Sequence, residues 1–306
     1  VKAGDNGAAV GSFQEALIAL GYPMPRWGAD GWYGGETDEA AEEFATDHEL
    51  EKEDGVSGTD LVNTVLLLAQ EYKQPLPASF VDMRDKHPAR KRGRRRSWDK
   101  ITGITLHQTA CCFLHEGVTD QSKIDRAVER VCSIGVHHTV LRNGISVWAN
   151  PYEHRMPHAQ AFNGPDVGIE IDGYYAGVDG DDGTFWRPQS RPDRQPMQVS
   201  EPQVLAARET CRFIIEEVRR HGGRIRYIHA HRQTSRSRTS DPGSLLWQAV
   251  AIPLLEEYGL SYGGPDFFVP RSKTKSGPGR PIPVEWDPSA THGYRDSPEE
   301  PELEQT

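Results

Sequence analysis

The chain has 306 residues, more than one compact core usually organises, so about two domains with connecting segments are expected. Its formal net charge is −10, with a pI near 5.7 and 36% hydrophobic residues, which argues against a protein that tracks phosphate through a basic face; no nucleic-acid partner is expected. No stretch approaches the roughly 20 consecutive apolar residues that cross a bilayer, and the first residues lack a positively charged start followed by an apolar run, so a soluble chain without a membrane span is expected.

In the acidic stretch 1–75, Phe13, Ala16, Leu17 and Leu20 recur at helical spacing, and Gly21 stops the run. Ala40, Ala41 and Phe44 mark a second helix, and Leu61, Val65, Leu66 and Leu68 a third. Asp30-Gly31-x-x-Gly34 returns as Asp54-Gly55-x-x-Gly58, each just ahead of a helical stretch. This is a short internal repeat whose glycines supply positive φ and whose aspartates supply a capping oxygen. The order Gly4-Asp5-x-Gly7-x-x-Val10, Gln14-x-x-Leu17-x-x-Leu20-Gly21-Tyr22 and Asp30-Gly31-x-Tyr33-Gly34-x-x-Thr37 resembles the three-helix peptidoglycan-binding module found beside many cell-wall hydrolases. The resemblance implies a small all-α domain over 1–75 and bacterial peptidoglycan as the partner.

Pro75, Pro77 and the run Arg90-Lys91-Arg92-Gly93-Arg94-Arg95-Arg96 make 76–100 a basic linker by default, with adhesion to anionic wall polymers as the functional alternative. From 101 to 262 the pattern is mixed α/β. Ile101, Ile104 and Leu106 form a short buried strand ending at His107, and 136–141 and 145–148 form a hairpin across Arg142-Asn143-Gly144. A further strand covers 167–171. A long helix opens at Ser200, with Gln203 completing a capping box, and ends at Gly222-Gly223. Another strand, 225–229, leads to His231. Prolines then recur and the end is acidic, so 263–306 is expected to be an extended arm or a disordered tail. Cys111, Cys112, Cys132 and Cys211 show no C-x-x-C spacing; they read as buried small hydrophobes or as disulfide partners.

A catalytic zinc wants three protein ligands and one open position, and such ligands sit well at the ends of different strands. His107 ends one strand in Thr105-Leu106-His107-Gln108-Thr109-Ala110, His231 lies just past another, and Asp241 follows ten residues later in Ser240-Asp241-Pro242-Gly243. Each alone reads as a hydrogen-bonded structural residue. Together with Gly168-Ile169-Glu170 they resemble the type-2 N-acetylmuramoyl-L-alanine amidases, a family that includes phage lysozyme-amidases and animal peptidoglycan recognition proteins. The match spans roughly half of the chain. It implies an α/β amidase domain over 101–262, a central mixed β-sheet flanked by helices.

By that resemblance Zn2+ is held by His107, His231 and Asp241, and Glu170 is the general base. His137, His158, Asn163, Arg238 and Thr239 are the implied substrate contacts; Thr239 stands where the family often carries Lys, and Arg238 is one step earlier. Two imidazoles and one carboxylate leave such an ion net positive, which acidifies bound water and polarises a carbonyl. His229 competes with His231 for the metal, since His229-Ala230-His231 puts both on one face of a continuing strand. The ten-residue interval to Asp241 and the following Arg232 favour His231. The implied function is hydrolysis of the amide between N-acetylmuramic acid and L-alanine by a zinc-activated water, carried out by a monomer at the bacterial cell wall, extracellular or periplasmic. The alternatives are a non-catalytic peptidoglycan-recognition protein and a zinc peptidase that cuts the stem peptide.

Overall fold

The computed structural model describes residues 1–72, 76–86, 93–187, 190–270 and 277–288. The chain divides into two compact units. The first comprises Val1–Pro77 with Arg96–Ile101 and Ile214–Arg224; the second comprises Ala78–Arg95, Thr102–Phe213 and Ile225–Thr306.

The first unit holds three helices, α1 (Ala8–Ala19), α2 (Gly35–Asp47) and α3 (Thr59–Tyr72). Their apolar faces close over Phe13, Leu17, Phe44 and Val65, all fully buried. The repeated turns have the required backbone: φ is 76° at Gly31 and 67° at Gly55, a region that glycine enters without a Cβ penalty. At the first turn the Trp32 N–H donates to Asp30 Oδ1 at 2.9 Å. Gln14, buried on α1, ties that turn to the next helix, because its Nε2 donates to the Trp32 carbonyl at 2.9 Å and to Thr37 Oγ1 at 2.8 Å.

The second unit is built on a six-stranded mixed sheet in the order β1-β4-β3-β5-β2-β6. Its strands are β1 (Phe80–Asp82), β2 (Gly103–Gln108), β3 (His138–Val140), β4 (Ser146–Trp148), β5 (Asp166–Ile171) and β6 (Tyr227–Ala230). Only β3 and β4 pair antiparallel, through the expected Asn143-Gly144 hairpin with φ 89° at Gly144. β5, β2 and β6 run parallel, so their carboxyl ends share one edge. Helices α4 (Gln121–Val131) and α5 (Glu201–Arg220, of which the residues up to Phe213 belong to this unit) flank the sheet.

Paired residues share a face of a sheet, so strand register assigns the two sides. Trp148 packs edge-on against Phe213 of α5 with ring centroids 5.5 Å apart, and Thr210 Oγ1 donates to Ser146 Oγ at 2.8 Å. Val147, between them, turns to the other face and joins Ala127, Val128 and Val131 of α4. His107 pairs with Glu170, Glu170 with Thr139, and Thr139 with Val147. His107 and Glu170 therefore occupy the face opposite α5.

Several expectations change. β1 and α4 went unrecognised: β1 is three residues long, whereas α4 carries Ile124, Ala127, Val128 and Val131 at helical spacing behind its N-cap Asp120, a signal that was legible in the sequence. The S-x-x-Q capping box does not form, because Ser200 Oγ donates to the Arg142 carbonyl at 2.6 Å and Gln203 is held by Tyr175 and Asp172. The basic linker is partly structured. Arg95 bridges His154, and the Gly93 N–H donates to the Arg155 carbonyl at 2.8 Å; residues 87–92 lie outside the described residues. The expected extended tail is instead packed where it is described: Val269 is buried in a cluster with Ala159 and Phe162, Ile282 is buried, and Trp286 is fully enclosed with its ring against Arg232. Residues 271–276 and 289–306 lie outside the described residues. All four cysteines are free.

Candidate functional site

The parallel strands deliver side chains to one edge, the place where open α/β sheets gather ligands. His107 is the penultimate residue of β2, and His231 opens the 3-10 turn His231–Thr234 directly after β6. Asp241 arrives on the loop that leads into the helical stretch Ser244–Leu246. One ligand atom from each of His107, His231 and Asp241 lies within 4.8 Å of the other two, and all three residues are buried. His231 Nδ1 stands 3.0 Å from both His107 Nδ1 and Asp241 Oδ2. Among the described residues this is the single group of His, Cys, Asp or Glu side chains so arranged.

The donor chemistry fits a divalent cation such as zinc. Burial, and then the neighbouring His231, His158 and Arg238, push His107 well below the usual histidine range, so it stays neutral with a lone pair to offer. Asp241 is kept in place from outside the cluster: its Oδ1 accepts the Gln108 N–H at 3.0 Å. Gln108, which directly follows His107, plays a structural part. Its Oε1 accepts the Tyr175 N–H at 2.6 Å and its Nε2 donates to the carbonyls of Tyr175 and Ser240, which clamps the Asp241 loop to the sheet.

Glu170 lies beside the cluster on the same face. Its Oε2 is buried without a hydrogen-bond partner, an expensive state for a carboxylate. Burial first and the charge of Asp241 second raise its carboxyl to about 8, while Arg238 acts in the opposite sense. A cation among the three ligands would oppose that rise.

The remaining candidates separate. His158 Nδ1 is 2.9 Å from His107 Nε2, and its ring lies over Gly168, where an added Cβ would come within 2.7 Å of it. Asn163 spends its Oδ1 on the N–H groups of His158 and Ala159, at 2.9 and 2.6 Å, so it shapes the loop that presents His158. His137 is fully buried, its Nδ1 accepts the Gly168 N–H at 2.9 Å and its Nε2 sits 2.8 Å from the His154 carbonyl, so both nitrogens meet backbone. Arg238 is exposed; Thr239 is half-buried and its carbonyl accepts from Arg232 Nη1 at 2.6 Å.

His229 does not join the cluster. Its Nδ1 is 2.8 Å from Asp166 Oδ2, its ring stacks on Phe162 at 4.0 Å, and Thr105 Oγ1 donates to the same carboxylate at 2.6 Å. The strand ends at Ala230 and the 3-10 turn redirects His231, which separates two imidazoles that a continuing strand would have put on one face. This buried Thr105–Asp166–His229 group had no sequence signal, since its members are scattered along the chain.

Fold and site together define a mixed α/β domain with a buried His-His-Asp cluster at the carboxyl edge of its parallel strands. Residues 97–244 match the Amidase_2 family, described as N-acetylmuramoyl-L-alanine amidase, and the domain that carries the cluster is a member of that type-2 amidase family. Among solved structures the chain is similar to the N-acetylmuramoyl-L-alanine amidase LysC from Clostridium intestinale URNW, at 15% identity over 60% of this chain and 98% of that one, with a TM-score of 0.35. Drosophila peptidoglycan recognition protein SD matches at 17% identity over 61% of this chain and 98% of its own, with a TM-score of 0.41. Human PGRP-IBETAC, solved with glycosamyl muramyl pentapeptide, matches at 15% identity over 60% and 97%, with a TM-score of 0.39. No curated protein matches the chain significantly.

Proposed function

We propose that the protein hydrolyses the amide between N-acetylmuramic acid and L-alanine in bacterial peptidoglycan, at the cell wall, as a zinc enzyme. The observation that carries this reading is the buried convergence of His107, His231 and Asp241 with the unpartnered carboxyl of Glu170 on the same face. What zinc supplies when held by those three side chains is acidification of a water and polarisation of the amide carbonyl.

The chain's own groups do the rest. Glu170 takes the proton of the attacking water and hands it to the leaving amine, so the water oxygen ends on the new carboxylate and its hydrogens on the L-alanine side. His158, against His107, and exposed Arg238, whose charge reaches Glu170 and His107, are the side chains we assign to the substrate. The first unit is assigned to wall binding, on the Asp-Gly-x-x-Gly turns and three-helix core described above.

The test is mass spectrometry of purified peptidoglycan treated with the protein, with and without a chelator. New L-alanine amino termini that vanish with chelator support the proposal. New termini inside the stem peptide would identify a peptidase instead, and binding without any new terminus a recognition protein.

A further inference from the structure

We infer that Trp286, acting through Arg232, is a positioning residue that holds His231 and Asp241 at their mutual spacing. The inference rests on the zinc reading of the cluster. It concerns a part of the chain that lies beyond the family match at 97–244.

Arg232 is the joint. It directly follows His231, its backbone N–H donates to the Asp241 carbonyl at 3.1 Å, and its Nη1 donates to the Thr239 carbonyl at 2.6 Å. One residue thus ties both ends of the ten-residue loop between the second and third ligands. Its own carbonyl accepts the Arg280 N–H at 2.8 Å, which joins the same point to the stretch 277–288.

Among the described residues that guanidinium has no carboxylate at ion-pair distance, and its buried Nε has no hydrogen-bond partner. A cation so poorly compensated prefers water. What faces it is the ring of Trp286, 4.9 Å from the guanidinium carbon to the ring centroid, within the range where an indole attracts a cation. Trp286 is itself fixed. It is fully buried, its ring neighbours Trp247 at 5.9 Å, and its Nε1 donates to the Gly177 carbonyl. The same carbonyl accepts the Ser244 N–H at 3.2 Å, just past the Asp241 loop. Any buried tryptophan pairs its N–H; what is particular here is that its face meets the residue beside His231, while its N–H is anchored on Gly177, whose carbonyl also holds Ser244 just past Asp241.

The experiment uses the full chain with five proteins: parent, Trp286→Ala, Trp286→Phe, Arg232→Met and the Arg232→Met/Trp286→Ala double variant. Zinc affinity is read by competition with a chromogenic chelator, and hydrogen exchange of the Arg232 amide is read on the metal-free protein. Trp286→Ala is expected to weaken zinc binding by about 10–100-fold, the usual effect of losing a group that orients a ligand. It should also speed exchange at Arg232 while leaving Leu106 of β2 unchanged. Trp286→Phe keeps an aromatic face and should recover much of the affinity. The double variant should bind no more weakly than Arg232→Met, because Trp286 then has nothing left to act through.

A folded Trp286→Ala protein with parental affinity and parental exchange at Arg232 overturns the inference, as do penalties that simply add in the double variant. If Trp286→Ala does not fold, Trp286→Phe and its combination with Arg232→Met decide by the same comparison. Should the parent itself take no zinc, the zinc reading fails, and the exchange measurement still decides the role of Trp286.

Discussion

At the residue scale the proposal turns on Glu170. Replacing it with Gln preserves volume and hydrogen-bonding capacity but removes the basic lone pair, and positioned general bases contribute about 10²–10⁴-fold. Glu170→Gln is therefore expected to keep zinc and fold and to lose activity on that scale, measured as zinc content alongside release of L-alanine amino termini. Loss of zinc would move Glu170 into the ligand set. The two neighbouring histidines give a second test: His231→Ala should lose the metal, while His229→Ala should keep it at the cost of stability, since the buried Asp166 carboxylate would lose a hydrogen-bond partner. Retention in the first and loss in the second would reverse the assignment. A third concerns His138, buried between Ser146 Oγ at 3.1 Å and Tyr152 OH at 2.7 Å. Burial first, and then Arg84, lower it to about 3, so the native state refuses a proton that the unfolded chain accepts near 6.5. Its contribution is whole above about pH 6.5 and is lost as pH falls toward 3, by up to about 1.4 kcal/mol per unit. Urea titrations should show a flatter pH dependence in His138→Gln; an unchanged slope between pH 7 and 5 would rule this out.

At the element scale, α2 is fastened to the loop after it by Asp38. Its carboxylate takes Lys52 Nζ at 2.8 Å, the Tyr33 hydroxyl at 3.0 Å and the Gly55 N–H at 3.2 Å. Burial alone would raise the Asp38 carboxyl, but these three partners outweigh it and hold it below the usual range. Its stabilisation is present above the unfolded value near 3.9 and is lost as pH falls through the folded one. Asp38→Ala leaves the buried Lys52 with Glu42 and the Glu53 carbonyl and is expected to cost about 2–3 kcal/mol, read from unfolding of the first unit. An effect under about 0.5 kcal/mol, typical of a surface change, would mean that Lys52 finds water instead. The elements themselves were legible where local chemistry marks them: Gly144 turned the β3–β4 hairpin, and α5 ends at Arg220 ahead of Gly222. Ser200 and Gln203 were misread because their side chains answer to Arg142, Tyr175 and Asp172, residues that the spacing S-x-x-Q cannot see.

At the scale of the whole molecule, charge is unevenly shared. Residues 1–75 carry fifteen acidic against four basic side chains, an unfavourable surface for anionic wall polymers but not for neutral sugars. Trp27 and Trp32 are 56% and 54% exposed there, the largest apolar groups the unit leaves in water. If this unit binds the wall, the double substitution Trp27→Ala/Trp32→Ala should weaken pull-down on insoluble sacculi and leave turnover of small soluble muropeptides unchanged. Equal pull-down by parent and variant would remove these residues from the binding surface.

The amino-acid sequence by itself determined which side chains stand at strand ends and turns, because backbone period and turn chemistry are local. The strands that carry His107 and Glu170 and the three helices of the first unit were legible for that reason, whereas the roles of His107, Glu170, His231 and Asp241 were implied only by the resemblance to the type-2 amidases. Tertiary structure alone decided what those side chains face. Gln108 meets Ser240 across 132 positions, His229 meets Asp166 across 63, His137 is sealed under the His154 loop, and Trp286 comes back from an expected tail to stack on Arg232. Such contacts depend on which strands become neighbours, and the energy that selects them is burial summed over the whole sheet rather than any preference written within a few residues of each side chain.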